Sequence, residues 1–277
     1  NSKIKIICIG NIYVGGTGKT SLCIKINEIL KKQKIKSCFV RKYYSDQIDE
    51  QELLKNTVKR FVEDELYPHE ETVDQTGEVP IELGRQIEKR SKEIGLFSAN
   101  LPVEVGGGGL DYESMMSIER EFGKTTHALH AWAARPTEIL LACTGDQINN
   151  YLDPCVTGEK RELFGLTEPE AGSDATSQRT TAFDKGDHYL LNGTKNWITN
   201  GNSASIYLVI AQTDPSLGHK GINAFIIEKD MSGFVVGLKE NKLGIRGSDT
   251  HSLMFTDVKV PKPVSYTHLT LPTILLV

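Results

Sequence analysis

The chain has 277 residues, of which 25% are charged and 39% apolar, with a net charge of −4. That length fills one or two domains with proper cores, and the acidic balance argues against nucleic acid as the main partner. No apolar run approaches the roughly 18 residues that span a bilayer, and no signal peptide is evident, so a cytoplasmic location is expected. With Asn1 and not Met in first place, further sequence upstream is expected. Cys8, Cys23, Cys38, Cys143 and Cys155 show no metal-ligand spacing and read as reduced, mostly buried thiols.

The average conceals a break. Residues 1–56 hold 11 Lys and Arg against 5 Asp and Glu; residues 57–277 hold 21 against 31. Such asymmetry marks either a basic arm or two pieces of different origin.

In chain order, Ile4 to Ile9 reads as a buried strand. The loop GNIYVGGTGKT follows, then a helix with Leu22, Ile26, Ile29 and Leu30 at helical spacing, then a second strand from Ser37. Strand, glycine loop, Gly-Lys-Thr and helix make a phosphate-binding loop: N–H groups at a helix N-terminus surround phosphate oxygens. Tyr13, Val14, Gly15, Gly16, Thr17, Gly18, Lys19 and Thr20 would form it, with Lys19 adding charge and Thr20 able to hold a metal. The strict pattern wants glycine where Tyr13 stands, which leaves a chance loop as the alternative. GNIYVGGTGKTSLCIKINEIL resembles the N-terminal part of tetraacyldisaccharide 4'-kinase, the lipid A kinase. That resemblance implies ATP at Tyr13 to Thr20 and Mg2+ at Thr20. It covers only about 56 residues, so no kinase activity is expected.

Residues 51 to about 160 read as helical. Leu54, Val58, Phe61, Val62 and Leu66 form one apolar stripe that should end near Pro68. Pro80 suits the first turn of a second helix, with Leu83, Ile87 and Ile94 inward. Gly106 to Gly109 reads as a plain connector before a third helix bearing Met115, Ile118 and Phe122. His127, His130 and Trp132 lie near a fourth helix and read as structural, and Arg135 as a surface or interface residue.

From Arg161 the pattern turns to period two, with strands expected at 177–183, 188–191, 195–199, 205–211, 222–228, 234–238 and 252–258. Their spacing suggests a small β-barrel or sandwich. Two stretches stand out. FGLTEPEAGSD opens as a strand and breaks at Pro169, which forces Glu168 into extended geometry, while Gly172 permits a tight reversal or a close approach to a ligand. Thr167, Ser173 and the intervening N–H groups then form a rim of small neutral donors, suited to a polar heterocycle or a phosphate edge. About 24 residues later, Trp197-Ile198-Thr199 follows Asn192-Gly193, a strong hairpin signal. In a strand Trp197 and Thr199 share a face, placing a flat aromatic beside a hydroxyl. Each half alone reads equally as loops and a core tryptophan of an ordinary β domain.

Together, at this spacing, the halves resemble the middle domain of the acyl-CoA dehydrogenases, FAD enzymes that dehydrogenate acyl thioesters at Cα–Cβ. The resemblance runs from about Val58 to Lys262. It implies that Phe164, Leu166 and Thr167 line the flavin's pyrimidine side, and that Gly172 and Ser173 serve FAD and the CoA portion of the substrate. Trp197, Ile198 and Thr199 would wall the ring, with a donor toward N5, the hydride acceptor. Arg246 and Ser248 would lie near the acyl-CoA cleft; on the residues alone that loop is as readily structural. An electron-transfer acceptor is implied as partner, and tetramers built through a C-terminal helical bundle. The family's base is a Glu of that bundle, which this chain is expected to lack; Glu168, Glu170 and Asp174 read as turn residues facing solvent or capping backbone. The tail SYTHLTLPTILLV is expected to be unrelated and extended.

The whole reads as an α+β composite. A P-loop β-α-β fragment (1–56) precedes a helical domain (57–160), a β-barrel or sandwich domain (161–262) and an unrelated tail (263–277).

Overall fold

The computed structural model describes residues 50–133, 136–262 and the backbone of 265–266. The loop Tyr13 to Thr20, the thiols Cys8, Cys23 and Cys38, Arg135 and the tail beyond Tyr266 lie outside the described residues.

The first element is α1 (Glu50–Phe61), which passes through a π turn (Val62–Leu66) and a 3-10 turn (Tyr67–His69) into α2 (Glu70–Thr76). The run that carries the stripe ends at Leu66, just before Pro68, as expected. Pro68 falls in the first turn of the next segment, where its missing N–H costs nothing. Helix α2 ends at Gly77, whose left-handed φ of 72° lets its N–H reach Val73 O at 2.9 Å. Helix α3 (Ile81–Glu93) begins after Pro80, and α4 (Tyr112–Phe122) starts from an Asp111 cap on Ser114 N–H. Val58, Phe61, Val62, Leu66, Ile87, Met115, Ile118 and Phe122 meet in one core with Leu129 and Trp132 of α5 (His127–Ala133). The four-glycine run is a connector: a Cβ on Gly107 would stand 2.2 Å from Leu101 O, so the chain is tightly folded on itself there. Short turns over 138–152 lead to α6 (Asp153–Val156).

Eight strands follow: β1 (Glu162–Gly165), β2 (Thr181–Asp184), β3 (His188–Thr199), β4 (Ile206–Gln212), β5 (Ile222–Glu228), β6 (Phe234–Lys239), β7 (Thr250–Pro261) and β8 (Ser265–Tyr266). They form a single sheet, ordered β6-β7-β3-β2-β4-β5-β8 with β1 also paired to β4, and not the two stacked sheets of a sandwich. Strands far apart in that order nevertheless touch: Tyr207 of β4 meets Phe234 of β6 edge-on at 4.6 Å between ring centres. The sheet is therefore curled around a core of Tyr207, Val209, Phe225, Phe234, Phe255 and Val258. Alternate residues Ile206, Leu208 and Ile210 face outward onto Leu140, Leu152 and Cys155. With both faces covered, β4 is buried along its whole length.

Candidate functional site

Strand β1 pairs parallel with β4 and delivers Phe164 to one end of the sheet. Phe164 and Leu166 pack partly on the outer core. The chain then reverses at Glu168 to Ala171, where Ala171 N–H returns to Glu168 O at 3.2 Å with Pro169 at the first corner. The reversal thus precedes Gly172. At Gly172 an added Cβ would meet nothing within 4 Å, which leaves open space beside exposed Ser173.

Strand β3 runs straight through Asn192-Gly193, so the expected hairpin there is absent. The turn into β3 lies at Lys185–His188, with Gly186 at φ 96°. Asn192 instead exchanges hydrogen bonds with Asp257 across to β7, at 3.0 and 2.9 Å. Gly193, at φ 148°, passes so close to Thr180 that a Cβ would stand 2.5 Å from its hydroxyl.

Nearer its end β3 bulges. Lys195 pairs with Leu253 and Ile198 with His251, so Asn196 and Trp197 stand opposite one residue. Trp197 is held at φ 56°, a left-handed conformation that costs a bulky residue about 1–2 kcal/mol. It is 60% exposed, and Thr199 is exposed too, while Ile198 between them is buried. The bulge also meets the rim: Asn196 N–H donates to Thr167 O at 2.8 Å. Thr167 and Trp197 are thus carried by directly joined segments.

Beneath this junction lies an ion pair that the sequence reading missed. Lys195, fully buried, donates to Leu166 O (3.0 Å), Glu168 Oε1 (2.7 Å) and Gln178 Oε1 (3.1 Å). Glu168 also accepts from the N–H groups of Arg179 (2.6 Å) and Thr180 (3.0 Å). Burial brings the Lys195 ammonium down to about 8, against the pull of Glu168. Burial works to raise the Glu168 carboxyl, but Lys195 and the two N–H donors outweigh it and hold the group below its usual range. Both values therefore fall, by opposite balances: at Lys195 burial outweighs the attraction of Glu168, and at Glu168 the hydrogen bonds outweigh burial. Glu168 therefore caps backbone, as expected of a turn residue, but is buried, not solvent-facing. Asp174 caps in solvent: the hydroxyls of Ser177 and Thr176 hold its carboxyl below the usual range. The one available signal for Lys195 was a lysine in the inward register of Leu191, which demands a buried anion.

Arg246 and Ser248 stand elsewhere. Arg246 is exposed and pairs with Asp74 of α2 at 2.8 Å, beside a cleft of about 510 Å3 that Lys239 and Lys242 also line. Ser248 is buried at the edge of a second cleft, of about 530 Å3, with Trp132, Asp249 and His251. Neither cleft is lined by Thr167, Ser173, Trp197 or Thr199. His127 and His130 bond to each other at 2.8 Å, and Trp132 lies under the Arg161 guanidinium at 4.2 Å, which supports their structural reading. Cys143 and Cys155 are buried thiols, and burial pushes the Cys155 thiol far up.

Residues 48–159 match the acyl-CoA dehydrogenase N-terminal domain, and residues 163–258 match the acyl-CoA dehydrogenase middle domain. Through these residues the chain belongs to the acyl-CoA dehydrogenase family. It is 39% identical over 217 residues to a short-chain specific acyl-CoA dehydrogenase of Clostridium acetobutylicum, covering 76% of this chain and 56% of that one. It is 37% identical over 226 residues to a caffeyl-CoA reductase–Etf complex subunit of Acetobacterium woodii, covering 79% and 58%. A solved acyl-CoA dehydrogenase from Bacillus anthracis, complexed with FAD, superposes with a TM-score of 0.71 at 32% identity, over 83% of this chain and 40% of that one. The chain thus spans a little over half the length of the curated relatives it matches. Residues 1–81 also match tetraacyldisaccharide-1-P 4'-kinase. In the shared stretch, Val58, Phe61 and Leu66 serve the helical core of the acyl-CoA dehydrogenase domain.

Proposed function

We propose that residues 164–199 form the flavin-facing wall of an FAD-dependent acyl-CoA dehydrogenase acting at Cα–Cβ of an acyl-CoA thioester. The observation that carries this reading is the 2.8 Å bond from Asn196 N–H to Thr167 O, which joins the donor rim to the bulge presenting Trp197 and Thr199. The chemistry on offer fits a flavin: an exposed flat aromatic, exposed hydroxyls at Thr199 and Ser173, and open space over Gly172. FAD in the Bacillus anthracis relative supports the same choice. Bound flavin supplies the hydride acceptor. In this reading Trp197 shields one face from water, Ile198 lends its backbone while its side chain anchors the bulge in the core of the sheet, and Thr167 and Thr199 orient the ring by hydrogen bonds. Phe164 and Leu166 back the pyrimidine side, while Gly172 and Ser173 meet FAD and CoA; Arg246 and Ser248 belong to the acyl-CoA approach.

Two of the three carboxylates in the rim stretch are already engaged, and exposed Glu170 is read as a turn residue facing solvent. Glu168 is consumed by Lys195 and two N–H groups, and Asp174 by two hydroxyls. This chain is therefore read as binding but not turning over, with helical (57–160) and β (161–262) units acting in the cytoplasm. An electron-transferring flavoprotein is proposed as redox partner, in keeping with the Acetobacterium woodii relative's Etf complex. Mixing the protein with FAD should quench flavin fluorescence saturably, and adding an acyl-CoA with an electron-accepting dye should give no substrate-dependent reduction. Absence of any flavin binding would defeat the reading, and robust turnover would defeat its inactive form.

The match of residues 1–81 favours a second reading for the N-terminal segment alone, an ATP-binding loop fragment at Tyr13 to Thr20 with Mg2+ at Thr20. ATP with Mg2+ should then raise the melting temperature, and Lys19→Ala should abolish the effect.

A further inference from the structure

The buried cluster beneath the rim is built like a clamp, and its donors and acceptors can be counted. An ammonium has three N–H donors, and Lys195 meets three acceptors: Leu166 O, Glu168 Oε1 and Gln178 Oε1. Each acceptor lies on the segment that leads into or away from the rim, whereas Lys195 is two residues before Trp197 on the bulged strand. We infer that Lys195, with Glu168 as its counter-ion, is a positioning residue that keeps the Thr167 rim and the Trp197 bulge in register only while Lys195 is protonated. This rests on the flavin reading for its functional consequence and on geometry alone for the clamp itself.

A neutral amine has two donors and a lone pair, so loss of the proton orphans one buried acceptor. Burial sets that loss at about pH 8. Glu168 is the charged side chain in contact with the ammonium; Gln178 is neutral, and Arg179 and Thr180 approach Glu168 through their backbone N–H groups. Global stability should move the other way. The folded-state value lies below the ordinary 10.5, so between about pH 8 and 10.5 the unfolded chain binds more protons, and this group's contribution to stability rises with pH. A loosening rim in a protein that is not losing stability is the signature of positioning.

The chain has two tryptophans, so Trp132→Phe leaves Trp197 as the only reporter. In that background, Trp197 emission and its quenching by acrylamide should change with a midpoint near pH 8, with far-UV circular dichroism and the thermal midpoint undiminished. Adding Lys195→Met with Glu168→Gln, which removes both charges together, should flatten the transition. FAD affinity should weaken about tenfold between pH 7 and 9 in the wild-type chain, the scale of one orphaned buried acceptor, and stay flat in the double variant. A flat Trp197 profile overturns the inference. So does a transition that survives in the double variant, or one that coincides with loss of secondary structure. A Trp197 transition without flavin binding at any pH leaves the clamp standing and defeats the flavin reading.

Discussion

Strands β4 and β3 lie on either side of β2 in one sheet and are built on opposite lines. All seven residues of β4 are buried, and its register with β5 runs without a break from Ile206 to Gln212. Strand β3 has two register shifts, a positive-φ tryptophan, a glycine at φ 148° and a lysine buried in its inward row. The regular strand carries stability, because its side chains from Ile206 to Ala211 all lie in one or other of the two apolar cores. The irregular one carries presentation: its second bulge sets out Trp197 and its buried Lys195 ties the rim down, while its first shift is held by Asp257 and Thr180.

If that division holds, the largest stability loss belongs to β4. Leu208→Ala should cost about 2–5 kcal/mol by chemical denaturation, since the site is sealed between Leu140, Leu152 and the sheet. The folded fraction should bind FAD as the wild-type chain does. A cost under about 0.5 kcal/mol, the range of ordinary surface changes, would break the comparison at once. Gly193→Ala comes next, at about 1–3 kcal/mol, because it meets both the unfavourable φ and the Thr180 hydroxyl at 2.5 Å. Asn192→Ala should cost about 1 kcal/mol through the lost exchange with Asp257. Removing the Asp257 carboxylate as well, in Asn192→Ala/Asp257→Gly, should add little more, since the carboxylate has already lost its partner and glycine accepts the φ of 51° there.

The same contrast explains what the sequence discloses. Strands β4 and β5 were legible within a residue of their bounds, although the period-two pattern did not disclose that β4 is buried on both faces. The helical stripe from Leu54 to Leu66 was legible because burial of one face repeats every three or four residues, and its end just before Pro68 was legible too. Asn192-Gly193 misled because its amide is committed to Asp257, 65 residues away, instead of to a local turn. The rim and the bulge were legible as motifs, and the contact that joins them, Asn196 to Thr167, was not, because it is made by backbone atoms that carry no residue signature. Lys195 and Glu168 stand 27 residues apart with no local periodicity to connect them. Arg246 and Ser248, adjacent in one loop, open onto different clefts because the chain turns between them, with Ser248 N–H returned to Ile245 O.

The smallest effect on stability should be the most informative. Trp197 is strained in its backbone and 60% exposed in its side chain, so it gives the fold little packing in return for its conformation. Asparagine accepts the left-handed region far more readily than a bulky aromatic residue. Trp197→Asn should therefore leave the protein as stable as before or more stable by up to about 1 kcal/mol. FAD affinity should meanwhile fall by about tenfold, the scale of one lost aromatic stacking contact. Denaturation and flavin titration on the same sample separate the two effects. A fall in stability without a fall in affinity would mean that Trp197 serves the fold, and that strain at the bulge has a structural cause on β7. A gain in stability with a loss of affinity would mean that strain is retained there for the sake of what the aromatic ring presents.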